Sequence, residues 1–253
     1  MLRIFFAGLY VVLFLILTMP FMLVGWILKK IAPKTGDRFC LAVVNWGFRC
    51  VLRICGTDIT VIGHDRIPRD TPVLYVGNHR SIFDIVLTYP LVVGPTGYLS
   101  KIENAKVPLL NIWMKLLHCL FLDRSTARTG LQTILDAIEL EKNGVSIAVF
   151  PEGTRNKDPE SDDLLPLHNG SFKIATKSGV PIQPMTINGA EQIFEAHKPF
   201  IRKCRVIIEY GDPIRLETLS KEELKNIGDY VGKILRDTYV KNKPLLEQSA
   251  SAK

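Results

Sequence analysis

The longest apolar stretch lies at the start of the chain. From Ile4 to Leu28, IFFAGLYVVLFLILTMPFMLVGWIL runs for 25 residues without a charge. As a helix this is long enough for a hydrocarbon core of about 30 Å, and it lacks the polar face that a helix packed in a soluble core repeats within two turns. A signal peptide would have a shorter apolar region followed by small residues, whereas Trp-Ile-Leu-Lys-Lys follows here. Pro20 allows a kinked membrane helix or a helical hairpin that dips into one leaflet and returns. Between Cys40 and Cys55, Asn45, Arg49 and Arg53 recur every four positions on an otherwise apolar background. That stripe fits a helix in the membrane interface, and equally a core helix whose arginines face water.

Beyond residue 56 the pattern changes to short apolar runs: PVLYVG (72–77), GYLS (97–100), CLFL (119–122), SIAVF (146–150), PIQPMTI (181–187) and RVIIEY (205–210). These predict strands. Leu131, Ile134, Leu135 and Ile138 at helical spacing predict an amphipathic helix that Asn143-Gly144 stops. Ser220 and Glu223 form a capping box, Leu219 and Leu224 a staple, and Leu224, Ile227, Val231, Ile234 and Leu235 an apolar face. Strands alternating with helices imply an α/β fold with a mixed, largely parallel sheet flanked by helices, with ligands at the carboxyl ends of strands. The expected organisation is membrane-embedded and interfacial helices over 1–56, one α/β domain over 57–243, and a flexible tail over 244–253.

Charge narrows the partners. Lys and Arg exceed Asp and Glu by 32 to 25, which favours an anionic membrane or a phosphorylated ligand. Mean hydropathy is +0.16, and no zinc spacing, base-stacking aromatic run or basic helix is present, so nucleic acid is not an expected partner. Arg3 precedes the apolar segment while Lys29, Lys30, Lys34 and Arg38 follow it, which predicts membrane anchoring with the domain on the cytoplasmic side. Five cysteines without a CxxC pair suit a reducing compartment. His64, His118, His168 and His197 show no ligand spacing, so no metal is expected.

Three strand ends carry candidate chemistry. His79 and Asp84 stand five positions apart in NHRSIFD. An imidazole can take a proton from a hydroxyl, and a carboxylate on its other nitrogen fixes the tautomer. Within one helix the two would diverge by about 140°; they meet only if His79 precedes a helix that Ser81 caps. FPEGTR (150–155) and LDR (122–124) place Arg155 and Arg124 at strand ends, Arg155 after a glycine turn suited to an anion. An ordinary β-turn and an Asp123–Arg124 salt bridge are the plainer alternatives. There is no GxSxG elbow and no GK[ST] loop.

NHRSIFD, LFLDR, FPEGTR and VPIQPMTI (180–187), in that order, resemble the glycerolipid acyltransferase family, particularly 1-acylglycerol-3-phosphate acyltransferases. The resemblance implies His79 and Asp84 as the catalytic pair. It implies Arg124, Glu152, Gly153 and Arg155 on the acceptor's glycerol phosphate, with Lys173 of GSFKIA a further phosphate contact. The fourth motif, with Pro181 and Pro184, would serve the acyl-donor side and packing. The implied reaction moves a fatty acyl group from acyl-CoA or acyl-ACP, as co-substrate rather than cofactor, to the sn-2 hydroxyl of lysophosphatidic acid at a membrane. Another lysophospholipid acceptor, a membrane-anchored thioesterase and a non-catalytic lipid-binding protein are the alternatives. One departure stands out: where the family usually has glycine or another small residue before the Phe of the second motif, this chain has His118 and Cys119. Bulk there is expected to reshape the acceptor pocket.

Overall fold

In the computed structural model, residues 2–158 and 161–248 are described. Two apolar helices lead, α1 (Leu2–Leu17) and α2 (Met19–Ile31). Pro20 falls in the first turn of α2, where a missing N–H breaks no helical bond. Thr18 Oγ1 donates back to the Phe14 carbonyl (2.6 Å), and the two axes differ by 51°. Neither helix alone is long and apolar enough to cross a membrane, whereas the bent pair together passes by length and composition. The break at Thr18 and the 51° bend are the kink that Pro20 allows, in the form of two helices rather than one. That pair is not a hairpin in itself, because a 51° bend does not reverse the chain. The return is made by α3 (Pro33–Cys55), which runs back along both. Glycines permit the close approach: a Cβ on Gly25 would lie 2.6 Å from Cys40 Sγ, and one on Gly47 would lie 2.7 Å from the Phe14 ring.

The α3 helix is a floor. It buries Val44, Val51, Leu52 and Cys55 toward the domain and exposes Arg49 and Arg53, the stripe read from the sequence. On the far side α1 and α2 leave Phe5, Leu17, Leu23 and Trp26 more than half exposed.

The domain follows as β1 (Asp58–Ile62), β2 (Leu74–Gly77), α4 (Phe83–Thr88), β3 (Thr96–Lys101), α5 (Leu110–Leu116), β4 (Leu120–Leu122), α6 (Ala127–Lys142), β5 (Ser146–Val149), α7 (Lys173–Ser178), β6 (Ile182–Asn188), β7 (Arg205–Tyr210), α8 (Lys221–Lys225) and α9 (Ile227–Gln248). Seven strands form one sheet in the order β1-β7-β6-β2-β5-β3-β4. Every pair is parallel except β6–β7, so the sheet is mixed and largely parallel, as expected. Both faces are covered, which is why the central strands read as unbroken apolar runs. Tyr75 and Ala148 point toward α3 and α4, while Leu74, Val76, Ile147 and Val149 pack on α6, α7 and α9.

Four local expectations change. β1 gave no signal as a strand: it is a half-exposed edge element beginning at Asp58. The buried face of α6 is formed by Thr133, Ala137, Ile138 and Glu141, while Leu131 and Leu135 are exposed. Small Thr133 and Ala137 let the helix approach its neighbours, and Glu141 is drawn inward by Ser178 of α7. The capping box forms on α8, but the expected single helix breaks at Asn226 before α9 continues the apolar face. Finally, α9 runs through Pro244 to Gln248, so the tail expected from 244 is helical to 248; residues 249–253 lie outside the described residues.

Glu141 carries a testable consequence. Ser178 Oγ lies 2.6 Å from Glu141 Oε2 and 2.8 Å from the Ile174 carbonyl. One hydroxyl hydrogen cannot serve both, and a protonated carboxyl resolves this by donating to the hydroxyl, which donates onward. Burial pushes the Glu141 carboxyl up to about 8, against the downward pull of the Ser178 hydrogen bond. A folded-state value above the unfolded one means stability present below the unfolded value and lost as pH rises through the folded value. Glu141→Gln is therefore expected to stabilise the fold by up to about 5 kcal/mol above pH 8 and to flatten the loss of stability between pH 4.5 and 8. Denaturant unfolding across that window checks this.

Candidate active site

The chain leaves β2 toward β3 over the α3 face, and leaves β5 toward β6 over the α7 face. Adjacent parallel strands whose connections part in opposite directions open a crevice at their carboxyl ends. NHRSIFD follows β2 and FPEGTR follows β5, so the two motifs meet there.

Gly77 ends β2 where the Phe150 ring and the Met185 carbonyl would stand 3.0 and 3.1 Å from a Cβ. Asn78 then locks the turn to β6: its Nδ2 donates to the Ile187 carbonyl (2.9 Å) and its Oδ1 accepts the Ile187 N–H (2.8 Å). His79 follows with its main chain held on both sides, its N–H donating to Glu152 Oε1 (2.7 Å) and its carbonyl accepting the Asn156 N–H (2.8 Å). The imidazole lies 4.5 Å from the Phe150 ring at an interplanar angle of 16°, and its Nδ1 is 2.8 Å from Asp84 Oδ2. No described residue bonds Nε2, which leaves that nitrogen for a ligand.

Asp84 is fully buried in the first turn of α4, and its Oδ2 also accepts the N–H groups of Arg80 (2.8 Å) and Ser81 (2.9 Å). Ser81 Oγ accepts the Phe83 N–H (3.0 Å) one residue ahead of the helix's N-cap, Ile82, which carries no side-chain cap of its own, and His79 sits in the turn before α4. This is the arrangement in which residues five apart converge.

Glu152 works from beneath. Burial pushes its carboxyl above the usual range, although the His79 and Leu165 N–H groups pull it down. Arg124 lies against Gly153 so closely that a Cβ there would stand 2.5 Å from its guanidinium, and Gly153 has φ +69°. Asp123 does not pair with Arg124; its Oδ1 accepts the Ser125 N–H (2.8 Å). Arg155 donates from Nη1 to Glu195 Oε1 (2.8 Å). Lys173 is exposed at the start of α7, and no described contact ties it to the others. The expected set thus converges except for Lys173.

Two partners were not legible beforehand. Glu195 accepts the Ile82 N–H on Oε1 (2.9 Å) and the Ser81 hydroxyl on Oε2 (2.6 Å), linking Arg155 to the loop that holds Asp84. Arg80 is buried, donates to the carbonyls of Asp158, Ser161 and Asp163, and lies 4.8 Å over the Tyr239 ring. Its place inside NHRSIFD was the one available signal.

The family departure does not act as expected. His118 (φ +60°) turns its ring toward α3 and lies 2.8 Å from Asp37, while Cys119 is buried against Tyr89 and Tyr98. Their bulk is absorbed by the helical layer rather than by the crevice. All five cysteines are free, and no group of His, Cys, Asp or Glu that could hold a metal ion occurs among the described residues.

A family model described as Acyltransferase matches residues 58–188, from β1 through β6. The chain belongs to this acyltransferase family. Among its relatives, the 1-acyl-sn-glycerol-3-phosphate acyltransferase of Borreliella burgdorferi is 29% identical over 81% of this chain and 76% of its own length. That of Saccharomyces cerevisiae is 30% identical over 73% of this chain and 59% of its own length. The crystal structure of the 1-acyl-sn-glycerophosphate (LPA) acyltransferase PlsC from Thermotoga maritima superposes with a TM-score of 0.82 at 25% identity, covering 96% of this chain and 95% of that one. The family match ends at Asn188, so Glu195 lies outside it. In this acyltransferase the carboxylate that ties Arg155 to Ser81 and Ile82 therefore comes from beyond the matched segment.

Proposed function

We propose that the chain transfers a fatty acyl group from acyl-CoA or acyl-ACP to the sn-2 hydroxyl of lysophosphatidic acid, forming phosphatidic acid at a membrane surface. The carrying observation is the His79–Asp84 pair at a strand end, with the guanidinium groups of Arg124 and Arg155 on the same rim. His79 Nε2 takes the proton from the acceptor hydroxyl as its oxygen attacks the thioester carbonyl. The tetrahedral intermediate collapses, the carbon–sulfur bond breaks, and the departing thiolate takes the proton from His79. Asp84 keeps Nδ1 protonated and stabilises the imidazolium between the two steps. Direct transfer fits the neighbourhood: Ser81, the hydroxyl within the motif, is buried and donates to Glu195, so it is not placed as a nucleophile.

Arg124 and Arg155, with Glu152 and Gly153 shaping the turn between them, hold the acceptor's phosphate so that its hydroxyl faces His79. Lys173 serves at most as an outer contact. The exposed apolar face of α1 and α2 suits an enzyme whose acceptor and product both reside in a bilayer, with the domain on the cytoplasmic side.

The test is transfer from labelled oleoyl-CoA to lysophosphatidic acid by the purified full-length protein, with free fatty acid counted in the same assay. Labelled phosphatidic acid supports the reading. Fatty acid released without transfer would favour a thioesterase and overturn it. Gly153→Ala is expected to raise the acceptor KM several-fold by displacing Arg124, and to cost about 1 kcal/mol of stability through its left-handed backbone; steady-state kinetics with a melting curve would show both.

A further inference from the structure

The last turns of α2 and α5 converge on a groove of about 450 Å³ lined by Trp26, Lys29, Lys30, Ile112, Lys115 and Leu116. Three ammonium groups line it and no carboxylate does. Lys29 is held in place behind it: Nζ donates to Asp37 Oδ1 (2.7 Å) and to the Leu116 carbonyl (2.7 Å), and lies 2.9 Å from His118 Nε2. Burial pushes the Asp37 carboxyl up, but hydrogen bonds from His118 and Lys29 outweigh this and hold it below the usual range. Asp37 is thus engaged with those two residues, and Lys30 and Lys115 face the groove without it. A lysine in a helix's last turn also complements the helix dipole. That explains each lysine singly, but not why two helices bring theirs to one concavity.

The groove's other wall is apolar. Trp26 is 55% and Ile112 43% exposed, and Trp26 continues the unpartnered apolar face of α2. Lys30 Nζ lies 6.0 Å from the Trp26 ring centroid, so the cationic and apolar walls touch. A free phosphate ion has no use for such a wall, whereas a phospholipid sets an anionic group directly above glycerol and acyl carbons.

We propose that this groove binds the headgroup phosphate of an anionic phospholipid, at a site separate from the acceptor crevice. The separation follows from topology, because the groove adjoins the amino end of β4, whereas His79 and Arg124 lie at carboxyl ends of strands. The proposal also gives the unusual His118 a use: with Asp37 it fixes the Lys29 ammonium that forms the back of the groove.

The experiment uses the full-length protein and short-chain phosphatidylglycerol below its micellar concentration, followed by titration calorimetry, with inorganic phosphate as competitor. Lys30→Gln/Lys115→Gln is compared with Lys221→Gln/Lys225→Gln on α8, which removes the same charge elsewhere. Saturable binding is expected for the wild type and for the α8 variant, with a loss of tenfold or more in the groove variant. Inorganic phosphate is expected to compete poorly. Equal loss in both variants, or binding that never saturates, would reduce the effect to general surface charge and overturn the proposal. Equally effective competition by inorganic phosphate would overturn the lipid assignment. Because the readout is binding, failure of the acyl-transfer reading leaves this result interpretable.

Discussion

Replacing His79 with alanine is expected to lower acyl transfer by roughly 10³-fold, the middle of the range for a positioned general base, with little change in the acceptor KM. Among the described residues the ring makes one hydrogen bond, through Nδ1, and stacks on one face. Its loss therefore removes the proton acceptor without opening the phosphate site. Asp84→Asn separates orientation from charge. Asp84 Oδ2 faces three donors, the N–H groups of Arg80 and Ser81 and His79 Nδ1, so asparagine must present its carbonyl oxygen there. Geometry and tautomer then survive, while the charge that stabilises the imidazolium does not. The expected fall is about 10²-fold, smaller than that of His79→Ala. Circular dichroism and a melting curve on each variant, beside kcat and KM for both substrates, decide the matter. An Asp84→Asn enzyme as active as wild type would show that the carboxylate only orients the ring, and a His79→Ala enzyme with wild-type kcat would sink the mechanism.

How much of this could be read from the chain depends on the range of the interaction. Alternation and spacing located six of the seven strands, because each is short, apolar and closed by turn residues. They missed β1, whose edge position leaves it half polar. The His79–Asp84 contact was legible as a condition, that His79 precede a helix capped near Ser81, since both partners lie within one turn of each other. The α6 face was misjudged because hydropathy ranks leucine above threonine and alanine, whereas close packing rewards small side chains. His118 was assigned to the wrong neighbour for a different reason: its partners Asp37 and Lys29 lie more than 80 positions upstream, and no local pattern carries that information. Glu195 was invisible on the same ground, standing 40 positions from Arg155 and more than 110 from Ser81 and Ile82.

That long-range carboxylate makes the second large prediction. Arg155→Ala is expected to raise the acceptor KM by about 10- to 100-fold, the worth of a charge-assisted hydrogen bond to phosphate at ~1.5–3 kcal/mol, with kcat changed far less. Glu195→Gln keeps an oxygen for the Ile82 N–H but loses the charge that fixes Arg155 Nη1, so the guanidinium is free to swing from the position that faces the crevice. A several-fold rise in the same KM is expected. The decisive reading is the double-mutant cycle: if Glu195 acts on the acceptor through Arg155, then Glu195→Gln adds almost nothing once Arg155 is alanine. It should even recover some stability there, because Arg155→Ala leaves a largely buried carboxylate without its cation. Two other outcomes are informative. Additive effects on KM would mean that Glu195 reaches the acceptor by another route. A fall in kcat with KM unchanged would place its influence on Ser81 and Ile82, the loop that carries Asp84, and hence on the base itself. Glu195 bridges both loops, through Arg155 on one side and Ser81 and Ile82 on the other, and the split between KM and kcat reports which of the two it serves during turnover.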